Sequence, residues 1–237
     1  MELKILDDSE AVARRAANTI AADARAAIAA RGRFALALSG GHTPWMMLRE
    51  LAQEDVPWAG VHIYQVDERV APDGDPDRNL TQIRESFLQH APLRSEQVHA
   101  MPVEGSDLEL AAQQYAESLQ EFAGSPPVLD LVQLGLGPDG HTASLIPGDA
   151  VLNVTGADVA LAGAYQGRRR MTLTYPTINR ARRILWVVTG SEKTQALQRL
   201  LDGDVTIPAG RVRRERAVLL ADRAAIGRLT AVRQGGD

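Results

Sequence analysis

The chain has 237 residues, 45% of them hydrophobic and 24% charged, enough to bury a substantial core. Its 26 Lys and Arg against 30 Asp and Glu leave a formal charge of −4, which argues against wholesale binding to nucleic acid or an anionic membrane. Cysteine is absent, which excludes disulfides, thiol catalysis and Cys-ligated metals. Charge is uneven along the chain: residues 1–120 carry 11 basic and 19 acidic side chains, residues 121–237 carry 15 and 11, so any positive surface is expected in the second half. No basic-then-apolar leader opens the sequence and no apolar run approaches ~18 residues. The expectation is a cytoplasmic protein, a monomer or weak homo-oligomer, with a small-molecule partner rather than nucleic acid or membrane.

Helical and strand-like segments alternate from end to end. Residues 11–30 hold eleven alanines with Val12, Ile20 and Ile28 as an apolar stripe, predicting a long helix with Ser9 as N-cap. Phe34-Ala-Leu-Ala-Leu38 reads as a buried strand stopped by Ser39-Gly40-Gly41. Thr43-Pro44 opens a helix, Thr43 as N-cap and Pro44 at the first helical position. Val61-His-Ile-Tyr-Gln-Val66 is a second strand, running into Asp67-Glu68-Arg69 and a loop rich in Asp, Pro and Gly to about Asn79. Helices are expected over 80–90 and 107–123, then a strand over 129–134 and a glycine-rich loop over 135–141. Further strands are expected at 158–163, 170–174 and 184–188. A helix from Gly190-Ser191 to about 201, a strand over 217–220 and a short helix complete the pattern. Short, continuously apolar strands imply burial on both faces, as in parallel sheets covered by helices. The fold class is therefore α/β: a single Rossmann-like, doubly wound, mostly parallel sheet with helices on both faces, spanning 1–237. Such sheets bind ligands beyond the carboxyl ends of their strands.

Four strand-end segments carry candidate chemistry. Ser39-Gly40-Gly41-His42-Thr43 joins a strand to a helix, where free N–H groups and the helix dipole favour a phosphate or carboxylate, aided by the Ser39 and Thr43 hydroxyls. An ordinary tight turn is the alternative, and the segment is neither a Walker A loop nor G-x-G-x-x-G. Asp67-Glu68-Arg69 closes an apolar strand with three charges that must pair or leave the core. Arg69 there can bind an anion or meet developing negative charge, with a solvated surface ion pair as the alternative.

Gly135-Leu-Gly-Pro-Asp139-Gly140-His141-Thr142-Ala143-Ser144 sets a carboxylate two residues before an imidazole. Histidine's ordinary pKa of about 6.5 makes His141 the best general-base candidate, with Asp139 to orient it, stabilise the imidazolium or hold a substrate hydroxyl. His42, beside a glycine pair, is its one rival. In the basic half, Arg170 and Thr172 fall on a strand, and Lys193 stands in the first turn of a helix in a chain whose only other lysine is Lys4. An ammonium is unfavourable at a helix N-terminus unless an anion is near, which points to phosphate, with a solvated Lys as the alternative. No His-x-x-x-His or His-Glu-x-x-His spacing and no Gly-x-Ser-x-Gly elbow occurs, so neither a metal nor another cofactor is expected.

Together, Leu38-Ser-Gly-Gly-His-Thr-Pro44, Val66-Asp-Glu-Arg-Val70, Gly135-Leu-Gly-Pro-Asp-Gly-His-Thr-Ala-Ser-Leu-Ile-Pro-Gly148, Arg170-Met-Thr-Leu-Thr174 and Gly190-Ser-Glu-Lys193 resemble the 6-phosphogluconolactonase family, in its order and spacing. The resemblance implies a Rossmann-like fold shared with sugar-phosphate deaminases and isomerases. It also implies metal-independent hydrolysis of 6-phospho-D-glucono-1,5-lactone, with His141 activating water. Arg69, Arg170 and Lys193 would surround the substrate's charged groups, with Asp67, Ser39, Gly40, Gly41 and Thr43 beside them. The sequence departs from the family where Arg78 precedes Asn79 in place of the usual Ser, and where Ile146 replaces the usual Phe. The related glucosamine-6-phosphate deaminases carry a Glu five residues after the His, just before a Pro, and here that position is Ile146 before Pro147. A non-catalytic sugar-phosphate sensor on the same fold is the alternative of another class. The basic run Arg211–Arg216 is expected to be solvated surface.

Overall fold

Successive residues of Phe34–Leu38 point to opposite faces, and all five are buried. Phe34, Leu36 and Leu38 join one apolar cluster, Ala35 and Ala37 another. These two clusters are the two faces of one sheet, as the continuous apolar strands required. A computed structural model describes residues 1–227; residues 228–237 of the expected domain lie outside the described residues. In chain order the elements are β1 (Glu2–Leu6), α1 (Ser9–Arg31), β2 (Phe34–Leu38), α2 (His42–Leu51), β3 (Val61–Gln65), β4 (Asp67–Arg69), α3 (Asn79–Ile83), β5 (Val98–His99), α4 (Leu108–Ala123), β6 (Leu131–Leu134), β7 (Val159–Tyr165), β8 (Arg168–Leu173), α5 (Tyr175–Arg180), β9 (Arg183–Val188), α6 (Thr194–Asp202), β10 (Ala217–Asp222) and α7 (Arg223–Ile226). Seven strands form the main sheet in the order β1-β10-β9-β6-β2-β3-β5, every pairing parallel.

From β2 the chain steps outward through β3 and β5; from β6 it steps the other way through β9 and β10. The winding therefore reverses between β2 and β6, and a crevice opens there beyond the strand ends. The loops leaving those two strands are Ser39–Gly41 and Gly135–His141. This geometry alone brings the two glycine-rich segments together.

The sheet expected to stand alone has a companion. β4, β8 and β7 form a separate antiparallel sheet, with Arg69 directly opposite Arg170. Asp67–Arg69, read as a strand end running into a loop, is thus a strand of this second sheet. Val66 is the pivot: its N–H donates to Leu38 O at 2.9 Å, and its carbonyl accepts from Leu173 N at 2.8 Å.

Caps and short elements differ in detail. Asp8, not Ser9, caps α1, its carboxylate accepting from Ala11 N at 2.8 Å. Gly41 rather than Thr43 occupies the N-cap of α2, with φ of 119°. The helix expected over 80–90 is α3 followed by a π-helical turn, Arg84–Leu88. β1, for which no strand was expected, is an edge strand held by backbone pairing to β10, with Leu3 and Ile5 each 39% exposed. Among the described residues no helix is long and apolar enough to cross a membrane.

At the β3–β5 edge, His62 Nδ1 and His99 Nε2 share a hydrogen bond of 2.9 Å, and His99 Nδ1 meets Ser118 Oγ at 3.1 Å. The His99 ring stacks on Tyr64, centroids 4.2 Å apart. Burial, then the neighbouring His62, push His99 down to about 4. The unfolded chain thus takes its proton first: stability is complete above about 6.5 and is lost as pH falls from there towards 4. Solvent screening at this half-buried pair holds the effect to about 1 kcal/mol, or roughly 2–4 °C. Thermal melts across that range should therefore decline less steeply for His99→Phe than for the parent chain.

Candidate active site

A cavity of about 560 Å³ lies at the carboxyl ends of β2, β6, β9 and β10, walled on one side by the second sheet. Ser39, Gly40, Gly41, Thr43, Asp67, Arg69, His141, Arg170 and Lys193 all line it. Every segment singled out from the sequence converges here. His42 lines it too.

The first loop is held tightly. Ser39 N donates to Gln133 Oε1 and its hydroxyl to Gln133 O, both at 3.0 Å. The Thr43 hydroxyl bonds to that of Thr189, tying α2 to the exit of β9. The hydroxyls expected to assist an anion are therefore already engaged within the protein. The first-turn amides of α2, which have no intrahelical acceptor, remain as donors. Gly40 is required by packing: a Cβ would stand 1.8 Å from Asn79 Oδ1.

The Asp67-Glu68-Arg69 charges pair rather than leave the core. Asp67 accepts from Ser144 Oγ at 2.7 Å and lies 3.9 Å from Arg170 Nη1. Arg69 Nη1 donates to Asn79 Oδ1 at 2.6 Å and Asp77 O at 2.8 Å. Glu68 is completely buried and accepts from Gln65 Nε2 and from the backbone N–H groups of Arg69, Asn79 and Leu80. Arg78, which stands where the family usually has Ser, neither faces solvent nor lines the cavity. It is 1% exposed and pairs with Glu68 and Glu104.

Arg69 and Arg170 face one another across two strands. Burial, with the Arg69 cation adding to it, lowers Arg170 from its usual value against the pull of Asp67. Among the described residues the Nε atoms of both arginines find no acceptor. Two adjacent guanidiniums lining the cavity make this wall a place for an anion. Lys193 lines the same cavity from a 3₁₀ turn, Ser191–Lys193, its Nζ 3.8 Å from Glu192.

In the third loop, His141 Nδ1 meets Asp139 Oδ1 at 2.6 Å, and His141 N donates to the same oxygen at 3.1 Å. A carboxylate on Nδ1 fixes the tautomer with the proton there and leaves the Nε2 lone pair free. Burial pushes the Asp139 carboxyl up, but hydrogen bonds from His141 and Tyr165 outweigh it and hold it below the usual range. Asp139 does not line the cavity; it reaches it through the ring. Gly137 makes room, since a Cβ would fall 2.0 Å from His141 Nδ1.

Sequence reasoning missed Tyr165, whose hydroxyl donates to Asp139 Oδ2 at 3.1 Å. The only signal was a Gln166-Gly167 turn between two strands. It also missed Asn79, which bridges Arg69 to the Asp67 backbone. The Arg211–Arg216 run is not merely solvated. Arg211 lies over the Tyr175 ring and donates to Leu152 O, and Arg214 caps α6 through Leu200 O and Leu201 O. Among the described residues no three His, Asp or Glu side chains converge as a metal-binding group.

Comparison with known proteins follows the same lines. The family described as glucosamine-6-phosphate isomerases/6-phosphogluconolactonase matches residues 7–220. A 6-phosphogluconolactonase of Synechocystis is 37% identical over 200 residues, covering 83% of each chain. One from Mycobacterium tuberculosis is 36% identical over 241 residues, covering 96% of this chain and 98% of the relative. The crystal structure of a 6-phosphogluconolactonase from Thermotoga maritima has a TM-score of 0.84 at 26% identity, over 93% of this chain and 99% of that one. By sequence and by fold, the chain belongs to the glucosamine-6-phosphate isomerase/6-phosphogluconolactonase family.

Proposed function

We propose that the protein hydrolyses 6-phospho-D-glucono-1,5-lactone to 6-phospho-D-gluconate without a metal, His141 acting as general base. The observation that carries this reading is the 2.6 Å contact of Asp139 with Nδ1 of His141, whose ring lines a cavity together with Arg69, Arg170 and Lys193. The backbone N–H groups of Gly40–Thr43, with Arg170 and Lys193, take the 6-phosphate. Binding energy from that remote group fixes the C1 carbonyl against a water. His141 Nε2 removes a proton from the water as its oxygen bonds to C1, and Arg69 meets the charge that develops on the carbonyl oxygen. Collapse breaks the bond from C1 to the ring oxygen, which takes the proton back from the imidazolium.

Ile146 favours this over deamination. Where a deaminase needs a carboxylate, this chain has an apolar side chain that is 8% exposed and packed in the core. The test is lactone consumption above the spontaneous rate, run beside ammonia release from glucosamine 6-phosphate. Hydrolysis without ammonia supports the reading. Tight binding of the phosphosugar without turnover would make the protein a sensor instead. Within the same assay, Lys193→Ala should raise KM about tenfold while leaving kcat nearly unchanged, because a phosphate contact far from C1 contributes equally before and during the reaction. An unaltered KM would remove Lys193 from the phosphate site.

A further inference from the structure

One side chain joins the Asp139–His141 loop to the cationic wall. Tyr165 ends β7, and the chain turns into β8 through Gln166 and Gly167 at φ of 53° and 81°, the positive values that two-residue hairpin turns require. Its hydroxyl donates to Asp139 Oδ2 at 3.1 Å, while Asp139 Oδ1 holds His141 Nδ1 at 2.6 Å. The edge of its ring meets the imidazole, with centroids 5.1 Å apart and planes at 63°. The Arg170 guanidinium lies over the same ring, 5.1 Å from its centroid, and Arg170 Nη2 donates to Tyr165 O at 3.3 Å.

We infer that Tyr165 is a positioning residue: its hydroxyl locks the Asp139 carboxylate against His141, and its ring face and carbonyl hold Arg170 towards the cavity. The inference rests on the lactonase reading given above. A carboxylate bonded through one oxygen can still rotate about its last torsion; with the second oxygen on the phenol, its plane is fixed and so is the imidazole. One hairpin thereby aligns the base with the group that receives the substrate's phosphate. The phenol is suited to the task, because burial and the Asp139 charge raise its pKa and keep it a donor.

Removing the hydroxyl returns negative charge to Asp139, and the imidazolium then forms at higher pH. The groups facing the ring are Asp139 from its own loop and Tyr165 from the hairpin, with Arg170 stacked beyond the phenol. Asp67, Arg69, Glu192, Lys193 and Asp222 also line the cavity. All of these persist in a Phe variant, so a change in the titration reports the lost hydrogen bond.

The test compares Tyr165→Phe and Tyr165→Leu with the parent chain. It reads kcat and KM on the phosphorylated lactone across the acid limb, and the His141 ring titration by NMR in the free protein. Tyr165→Phe keeps the aromatic packing and should lower kcat about three- to tenfold with little change in KM. Its acid limb and ring titration should both move to higher pH. Tyr165→Leu, which also loses the stacking on Arg170, should raise KM severalfold in addition. A Phe variant with parental kcat and an unmoved titration overturns the proposal. Should the parent chain fail to hydrolyse the lactone, the lactonase reading falls, and the ring titration in the free protein still decides the Tyr165–Asp139–His141 link.

Discussion

Replacing His141 by Ala should lower kcat by roughly 10²–10⁴-fold, the share contributed by a positioned acid–base group. Its ring is the only imidazole in the cavity with a carboxylate on Nδ1 among the described residues. His42 lines the same space but is exposed at the start of α2. KM should change little, because phosphate binding is assigned to the backbone N–H groups of Gly40–Thr43, Arg170 and Lys193, none of which bonds to the imidazole. Asn at 141 preserves polarity and approximate size but cannot carry a proton from water to the ring oxygen, so it should be nearly as slow as Ala. The fold should tolerate both, since the ring lines the cavity and its hydrogen bond and ring contact are to Asp139 of its own loop and to Tyr165. Steady-state kinetics on the phosphorylated lactone check the prediction. A variant with near-parental kcat would strip His141 of the role and shift attention to His42.

The parts of this site that could be read from the sequence are those whose chemistry is local. Ser39-Gly40-Gly41 and Gly137-Pro-Asp-Gly-His141 each follow an apolar strand, and in a parallel sheet all strand ends on one side share a crevice. Asp139 and His141 are two residues apart, so their contact needs only a turn. Tyr165 lay beyond that logic: it meets a carboxylate 26 residues earlier, and only through the antiparallel sheet. That sheet was itself hidden. Its first strand is Asp67-Glu-Arg69, three charged residues with no apolar pattern, which is a strand because Val66 hands the chain from Leu38 to Leu173. Burial of charge was equally illegible. Arg78 stands in an acidic, proline-containing loop that reads as solvated, yet it lies beneath that loop against Glu68. In the Arg211–Arg216 run the expected exposure holds at Arg211, Arg213 and Arg216, but the contacts do not show in the sequence, because arginines that cap a helix or cover a ring look identical there to arginines in water.

The buried Glu68–Arg78 pair gives the largest expected change in stability. Glu68 Oε1 accepts from Arg69 N and Asn79 N, both at 2.8 Å; Oε2 accepts from Gln65 Nε2 at 2.7 Å and Leu80 N at 2.9 Å, with Arg78 Nε at 3.5 Å. Each oxygen thus faces donors only, two of them at the N-terminus of α3. Glu68→Gln is isosteric, yet whichever way its amide turns, an NH₂ group confronts two N–H donors. It also leaves the 1%-exposed Arg78 cation without its buried counter-charge. Breaking such a pair on one side costs about 3–5 kcal/mol, which in a chain of this size lowers Tm by roughly 6–20 °C. Arg78→Met should cost less, because the carboxylate keeps four hydrogen bonds. The double variant should then be less destabilised than the sum of the two, since Met removes the cation that Gln leaves unpaired. Denaturant midpoints for the four proteins measure this coupling directly. The same change should reach the cavity: Asn79, the first residue of α3, holds Arg69 at 2.6 Å, so loosening that terminus should raise KM for the lactone even where the chain remains folded. Additive losses, or a Gln variant with an unshifted midpoint, would mean that water already solvates this carboxylate and that the pair does not fix the wall of the site.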